Sequence, residues 1–312
     1  MKILVTCPPM LGQREHFLPL LEKNGIEVGM PDFVQTLSVE ELMKLVPQYD
    51  GWIIGDDPAT AEVFEAGKAG NLKAVVKWGI GVDNVDFTAC KRLGIPVTNT
   101  PNMFGCEVAD VAMGYVTGLA RETFMIDREV RQGTWLKIAG MSLAGKKVGL
   151  IGYGDIGRNT ARRLLAADME VTVFDPFYDQ GQNPYSEVNF SAWPAGIEDF
   201  DFLVFTCALS ESNFHMLSAT ELARCKNGVR VVNVARGPLI DEGALIGALV
   251  SGKVYSAALD VFENEPLSEN SELARMERCI FGSHNSSNTV DAVRATNIRA
   301  IEELLGFLKV GK

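Results

Sequence analysis

The stretch "KKVGLIGYGDIGRNTARRL", residues 146–164, constrains the fold more than any other part of the chain. A lysine pair leads into a short apolar run. Gly152, Gly154 and Gly157 follow in GxGxxG spacing, and a helical pattern opens at once behind them. GxGxxG alone is a weak signal; set between a strand and a helix it is specific. The first glycine permits a tight turn, the second lets the backbone approach a pyrophosphate, and the third lets the helix pack close to the strand. The first turn of such a helix offers N–H groups without intrahelical partners, and its dipole favours an anion. Asp175 ends the next apolar run, "VTVFD", 18 residues beyond Gly157. A carboxylate there binds ribose hydroxyls and repels a 2′-phosphate, so NAD is expected rather than NADP. The competing reading is a structural glycine turn in some other α/β protein.

The rest of the chain alternates strand and helix around this motif. Residues 2–6, 51–55 and 72–78 read as buried strands. Residues 15–23 read as a helix stopped by Asn24-Gly25, and Ser38 with Glu41 forms a capping box. A further helix starts at an N-cap Thr60. From Glu107 to about Arg131 the pattern predicts one long helix. A second series then runs through strands at 146–152, 170–175, 201–206, 229–235 and 254–261, with helices at 158–168, 220–226 and 242–252. Residues 291–310 read as a closing amphipathic helix that returns to the first series. The expected class is α/β, with two doubly wound parallel-sheet domains.

Arg236 lies just beyond the strand "VVNVA" and before a Gly-Pro turn. That is the carboxyl end of a strand, where open α/β sheets bind ligands. A guanidinium there can hold a carboxylate through two parallel hydrogen bonds, or it can be a surface arginine near a turn. "ALDVFENEP" carries Asp260, Glu263 and Glu265, and His284 lies 19 residues past Glu265. A carboxylate beside an imidazole fixes its tautomer. Such a pair can protonate a carbonyl oxygen as hydride reaches the carbon. His16 and His215 read as structural or surface residues. "GIGVDNVD", from Gly79, reads either as a plain turn or as a nest of backbone N–H groups for a small anion.

Other chemistries find little support. Six cysteines contain no CxxC, and the three histidines show no metal-site spacing, so no metal is expected and the thiols read as reduced, in a cytoplasmic protein. A net charge of −11 argues against nucleic acid or an anionic membrane as partner. The opening "MKILVTCPPM" is too short an apolar run for a signal or a membrane span. No P-loop is present, and "GMSLAG" misses the nucleophile-elbow spacing.

Arg236, Glu265 and His284, in that order after "GYGDIG", resemble the D-isomer-specific 2-hydroxyacid dehydrogenase family. "GVDNVD", "VTNTP", "NVARGPLIDEGAL" and "ALDVFENEP" carry the same resemblance, over about residues 51–290. It implies a flavodoxin-like substrate domain of residues 1–99 and 289–312, a Rossmann cofactor domain of residues 100–288, NAD, and a homodimer held by the cofactor domains. It implies Arg236 on the substrate carboxylate and carbonyl, Glu265 orienting His284, and His284 as acid and base. Backbone groups of Asp155 and Ile156 would hold the pyrophosphate and Asp260 the nicotinamide carboxamide. Thr206, Cys207, Ala208, Ala235 and Ser286 would line the cofactor. Lys77, Trp78, Gly79 and Ile80 would meet the substrate.

The sequence departs from the family where Ser283 precedes His284 and Asn285-Ser286-Ser287 follow it, and where "TCA" (206–208) stands for a usual His-Leu-Pro. The expected substrate is a small anionic 2-hydroxy or 2-keto acid. Phosphoglycerate is one candidate, although Asp56-Asp57 stand where such enzymes tend to carry an arginine; no regulatory segment is expected after the last helix. Glyoxylate or hydroxypyruvate reduction is the alternative. A different class of reading is an NAD-sensing binding protein of the corepressor type, without turnover.

Overall fold

The computed structural model describes residues 1–33, 35–178 and 187–309. The chain forms two compact units, Met1–Phe104 with Ser287–Lys312, and Gly105–Ser286.

The first unit holds strands β1 (Lys2–Val5), β2 (Glu27–Gly29), β3 (Gly51–Ile54), β4 (Ala74–Lys77) and β5 (Val97–Asn99). They form one parallel sheet in the order β2-β1-β3-β4-β5. Every residue of β3 and β4 is buried, as expected of parallel strands covered on both faces. Helices α1 (Pro8–Leu11), α2 (Arg14–Glu22), α3 (Val39–Leu45), α4 (Ala61–Ala69) and α5 (Phe87–Leu93) connect them. The capping box forms: the Ser38 hydroxyl accepts the Glu41 N–H at 3.3 Å, and the Glu41 carboxylate accepts the Ser38 N–H at 2.8 Å. Thr60 occupies the N-cap of α4, but its hydroxyl donates to Glu62 and caps no backbone group. Strands β2 and β5 have three residues each, too few to leave an apolar period in the sequence.

The second unit begins with α6 (Gly105–Arg121) and α7 (Thr123–Arg131), where the sequence pattern predicts one helix. The break is at Glu122, which has φ +56°. Its cause lies far away in the chain. The Leu119 carbonyl accepts the Arg230 Nε at 3.3 Å, and the Ala120 carbonyl accepts the Met141 N–H at 2.8 Å. Both carbonyls are thereby drawn toward donors outside the helical ladder.

Then follow β6 (Lys147–Ile151), α8 (Asp155–Ala166), β7 (Glu170–Phe174), β8 (Asn189–Phe190), β9 (Phe202–Phe205), α9 (Ala219–Arg224), β10 (Val229–Asn233), α10 (Glu242–Val250), β11 (Val254–Leu259) and β12 (Ile280–Phe281). The seven strands are parallel, in the order β12-β11-β10-β9-β6-β7-β8. Phe174, Leu203, Phe205, Val231 and Leu259 belong to its main apolar cluster.

The last helix, α11 (Val290–Leu308), belongs to the first unit, and its N-cap Thr289 accepts the Ala292 N–H at 3.1 Å. Its predicted end at residue 310 lies outside the described residues. A Cβ on Gly51 would sit 3.1 Å from the methyls of Leu304 and Leu308, so the helix lies close against β3.

The units divide at 104/105 and 286/287, against expected limits at 99/100 and 288/289. Residues 100–104 stay with the first unit because Thr100 accepts the Gly79 N–H at 2.7 Å and Phe104 packs on Trp78 at 5.2 Å.

Candidate active site

In the second unit the strand order reverses between β6 and β9, and open α/β sheets bind ligands at such a switch point, outside the carboxyl ends of the strands. The glycine loop follows β6, and Thr206 to Ala208 follow β9. Gly152 has φ +97°, and a Cβ on it would lie 2.6 Å from the Cys207 Cα. A Cβ on Gly157 would lie 2.1 Å from the Gly152 carbonyl oxygen, so α8 rests directly on the turn. Around Gly154 there is open space to 4 Å, and as N-cap of α8 it supplies no side-chain cap. The first N–H groups of α8, from Asp155 and Ile156 onward, are thus left without a side-chain cap beside room for a ligand. These residues fit a dinucleotide pyrophosphate.

The loop is rigidly held. The Thr206 hydroxyl reaches the Ile151 and Gly152 carbonyls at 3.1 and 3.0 Å. Burial pushes the Cys207 thiol up to about 12, so it stays neutral and serves as a wall. The Ala208 carbonyl accepts the Asn213 amide at 2.8 Å. Asp175 accepts the Tyr153 N–H at 2.7 Å and the Phe177 N–H at 2.8 Å, which fixes both carboxylate oxygens while leaving each a further lone pair. Gly157→Ala is expected to push α8 off β6. Overpacking of this kind costs about 1–3 kcal/mol. The melting temperature should fall by roughly 2–10 °C, and a calorimetric scan showing no change would contradict the packing role.

The second group of residues lies beyond β10, β11 and β12. Asn233, the last residue of β10, accepts the Ala235 N–H at 3.0 Å and donates to the Arg236 carbonyl at 2.8 Å. One buried amide therefore sets the turn that carries Arg236. Arg236 is half-buried, and its Nη1 donates to the Ala235 carbonyl at 2.8 Å. A Cβ on Gly237 would lie 1.9 Å from the Phe262 carbonyl carbon, so this turn lies directly on the loop after β11. Two reciprocal bonds tie the same loops: the Glu242 N–H to Glu263 at 2.9 Å, and the Glu263 N–H to Glu242 at 3.3 Å.

Glu265 accepts the Phe262 N–H on Oε1 at 3.0 Å, and its Oε2 lies 2.7 Å from His284 Nδ1. Both side chains are 24% exposed, so the pair is held yet open to solvent. His284 has φ +54°, a left-handed conformation that histidine adopts more readily than most residues. Its N–H donates to the Asp260 carbonyl at 2.7 Å. The Asp260 carboxylate accepts the Asn285 and Ser286 N–H groups at 3.2 and 2.9 Å and pairs with the Tyr115 hydroxyl. A Cβ on Gly282 would lie 2.0 Å from Asp260 Oδ1. Asp260, 1% exposed, is thus the organiser of the histidine loop, and the polar Asn285-Ser286 pair is bound to it through the backbone. Asn233 and Tyr115 are site-building residues that sequence reasoning missed.

The fold also gathers a set that sequence spacing conceals. His215, Asp241 and Glu263 bring one ligand atom each within 4.8 Å of one another. Their groups already have work. Asp241 caps α10 through the Ala244 N–H at 2.9 Å, and Glu263 accepts the Glu242 N–H. His215 Nε2 lies 2.9 Å from Glu263, close enough for an ion pair when protonated but out of line for a hydrogen bond.

In the first unit the expected substrate residues follow β4. Gly79 has φ +114°, and its N–H is committed to Thr100, so a backbone donor for a ligand starts at Ile80. Trp78 departs from expectation: it is 5% exposed, packs on Phe104, and donates from Nε1 to Asn297 at 2.8 Å. Its ring is a core element of this unit and does not present a wall to solvent. The Lys77 side chain is 3% exposed, and its Nζ meets Asp56 Oδ1 at 3.2 Å and the Trp78 carbonyl at 3.0 Å.

Among the described residues no helix is long and apolar enough to cross a membrane. The NAD binding domain of the D-isomer specific 2-hydroxyacid dehydrogenases matches residues 113–286. A hydroxypyruvate reductase of Thermotoga maritima is 36% identical over 296 residues, 93% of this chain and 94% of that protein. A D-3-phosphoglycerate dehydrogenase of Archaeoglobus fulgidus is 32% identical over 99% of this chain and 58% of that protein. The chain spans about half the length of the phosphoglycerate dehydrogenases it matches. The crystal structure of a glyoxylate reductase from Paecilomyes thermophila superposes with a TM-score of 0.85 at 27% identity, covering 100% of this chain and 96% of that one. With over half its length inside the family's cofactor domain and a nearly full-length relative above 30% identity, the chain belongs to the D-isomer specific 2-hydroxyacid dehydrogenases, oxidoreductases that use NAD.

Proposed function

We propose that this chain interconverts a small 2-keto acid and its D-2-hydroxyacid through Arg236, Glu265 and His284. The observation that carries the reading is the 2.7 Å contact of His284 Nδ1 with a Glu265 carboxylate that is itself anchored to the Phe262 N–H. Donation from Nδ1–H to that carboxylate leaves Nε2 to exchange a proton with the substrate oxygen. Bound NAD(H) supplies or accepts the hydride at the substrate carbon. Arg236 holds the substrate carboxylate and polarises its carbonyl oxygen, which gains the Nε2 proton in reduction and returns it in oxidation. The Ile80 N–H, beside Gly79, offers a backbone donor to the same class of anion. Lys77 and Trp78 act indirectly, by holding that loop.

In the cofactor half, Gly152, Gly154 and Gly157 shape the pyrophosphate site, with N–H groups of Asp155 and Ile156 as donors. Thr206, Cys207, Ala208, Ala235 and Ser286 line it. Asp260, with three acceptor positions in use, has capacity for one more hydrogen bond, from the carboxamide. Asp175 takes the ribose hydroxyls. Asp175→Ala is expected to weaken NADH by about tenfold and to narrow its preference over NADPH, since a charge-assisted hydrogen bond contributes about 1.5–3 kcal/mol. Fluorescence titration with both cofactors checks this, and an unchanged preference contradicts it. The protein is read as a cytoplasmic homodimer acting on free small acids, without nucleic acid or membrane partners. NADH oxidation against a panel of 2-keto acids, including glyoxylate, hydroxypyruvate and phosphohydroxypyruvate, tests the reading. Tight NADH binding without turnover of any of them would overturn it.

A further inference from the structure

We infer that His215, Asp241 and Glu263 form a site for one divalent cation of the zinc class, which ties together the loops that follow β9, β10 and β11. The site lies wholly within the second unit and does not depend on the reaction proposed above.

Spacing along the chain excludes a site built from sequence neighbours, but not one assembled from loops. His215 lies beyond β9, Asp241 beyond β10 and Glu263 beyond β11. Backbone bonds fix where these loops meet. The His215 N–H donates to the Pro238 carbonyl at 2.8 Å, the Leu217 N–H to the Leu239 carbonyl at 3.2 Å, and the Asp241 N–H to the Leu217 carbonyl at 3.1 Å. The imidazole stacks on the Phe214 ring at 4.0 Å, which sets its plane. Glu263 is held by its exchange of bonds with Glu242. The three positions are therefore set by contacts that need no ion, and one atom from each side chain lies within 4.8 Å of the others. Ligand atoms on a tetrahedral zinc are about 3.4 Å apart, so a small rotation of a carboxylate closes the set.

Three observations point to a cation rather than to hydrogen bonding alone. First, His215 Nε2 is buried and lies 2.9 Å from Glu263 Oε1, yet makes no hydrogen bond. A buried polar atom without a partner is costly, and two atoms that share an ion sit this close without pointing at each other. Second, each carboxylate spends one oxygen on a backbone donor, Asp241 Oδ1 on the Ala244 N–H and Glu263 Oε1 on the Glu242 N–H. Among the described residues, Asp241 Oδ2 and Glu263 Oε2 accept no hydrogen bond. Third, Asp241, Glu242 and Glu263 pair with no lysine or arginine among the described residues, so three carboxylates gather beside one imidazole. One imidazole nitrogen and two carboxylate oxygens, with a fourth position left for water, is a donor set that zinc accepts; magnesium and calcium favour oxygen alone. The His215 and Glu263 side chains are each 29% exposed, which leaves the ion a way in. Arg236 and Asp241 share one loop and Glu263 and Glu265 another, so the ion braces the two loops that carry Arg236 and Glu265.

In the test, the full chain is freed of metal with a chelator and titrated with zinc chloride, followed by calorimetry and by the histidine C2–H resonances. One ion per chain should bind with a Kd of about 10 µM or tighter. At a hundredfold excess over that Kd the melting temperature should rise by roughly 3–8 °C. The chain has three histidines, His16, His215 and His284, and the resonance that moves should be the one missing from His215→Asn. Asparagine suits the φ of +51° at this position. Asp241→Asn and Glu263→Gln keep an acceptor oxygen for the Ala244 and Glu242 N–H groups, and each should weaken binding by about tenfold or more. Cobalt chloride in place of zinc should give visible bands without the near-ultraviolet sulfur charge transfer of a cysteine site. No binding at about 1 mM zinc overturns the inference. So does an affinity unchanged in both carboxylate variants, movement of the His16 or His284 signal in place of that of His215, or a sulfur charge-transfer band. NADH binding reports whether each variant is folded, and where one is not, the wild-type histidine and cobalt spectra decide.

Discussion

Replacing His284 with alanine is expected to lower kcat by about 10²–10⁴, the range a general acid–base residue supplies. The proton on Nε2 has no substitute within reach of Glu265, because that carboxylate is pinned to the Phe262 N–H at 3.0 Å and faces Nδ1. A drop in stability must be separated from a loss of chemistry. His284 has φ +54°, and alanine in that region costs about 1–2 kcal/mol. His284→Asn is the better second variant, since asparagine tolerates left-handed backbone and keeps the N–H bond to the Asp260 carbonyl. Both variants should lose turnover alike while differing in melting temperature. Glu265→Gln should lose at least about tenfold in kcat, because an amide can donate to Nδ1 and stabilise the wrong tautomer. Turnover like that of the wild type in either histidine variant, on a verified substrate, would remove His284 from the mechanism.

What the sequence makes legible follows from how local each cause is. The glycine loop is legible because its requirements are local: φ +97° at Gly152 and a 2.1 Å approach at Gly157 leave no choice of residue. The parallel sheets are legible from buried runs such as β3, β4 and β10, but β8 and β12, of two residues each, carry no period to read. The break at Glu122 is invisible because its causes, Arg230 and Met141, are remote in the chain. The same limit applies in the site. The order Arg236, Glu265, His284 carries a family pattern, whereas the residues that build it come from scattered elements. Tyr115 sits on α6, and His215, Asp241 and Glu263 lie on three different loops. The cover of Trp78 has the same kind of cause, because Phe104 and Asn297 come from segments remote in the chain. Asn233 did leave a signal. A polar amide at the buried end of β10 demands partners, and the turn that follows is the nearest source.

Arg236→Ala is expected to lower kcat/KM by about 10²–10⁴, since truncating one side of a charged, hydrogen-bonded contact costs about 2–5 kcal/mol. The backbone around it should survive. Asn233 holds Ala235 and Arg236 through main-chain groups, and Gly237 seats the turn on Phe262 whatever side chain stands at 236. NADH affinity therefore serves as the control and should stay within about twofold of the wild type. The more telling variant is Arg236→Lys. It keeps the charge and loses the planar fork, which is what allows one residue to grip a carboxylate and a neighbouring carbonyl oxygen together. If the residue merely attracts an anion, lysine should recover most of the activity, chiefly in KM. If it also polarises the carbonyl, KM should recover in part while kcat stays depressed by about tenfold or more, because the interaction then strengthens in the transition state. The proposed mechanism requires the second pattern. Full recovery of kcat by lysine would reduce Arg236 to an anchor and leave His284 as the one group acting on the carbonyl oxygen.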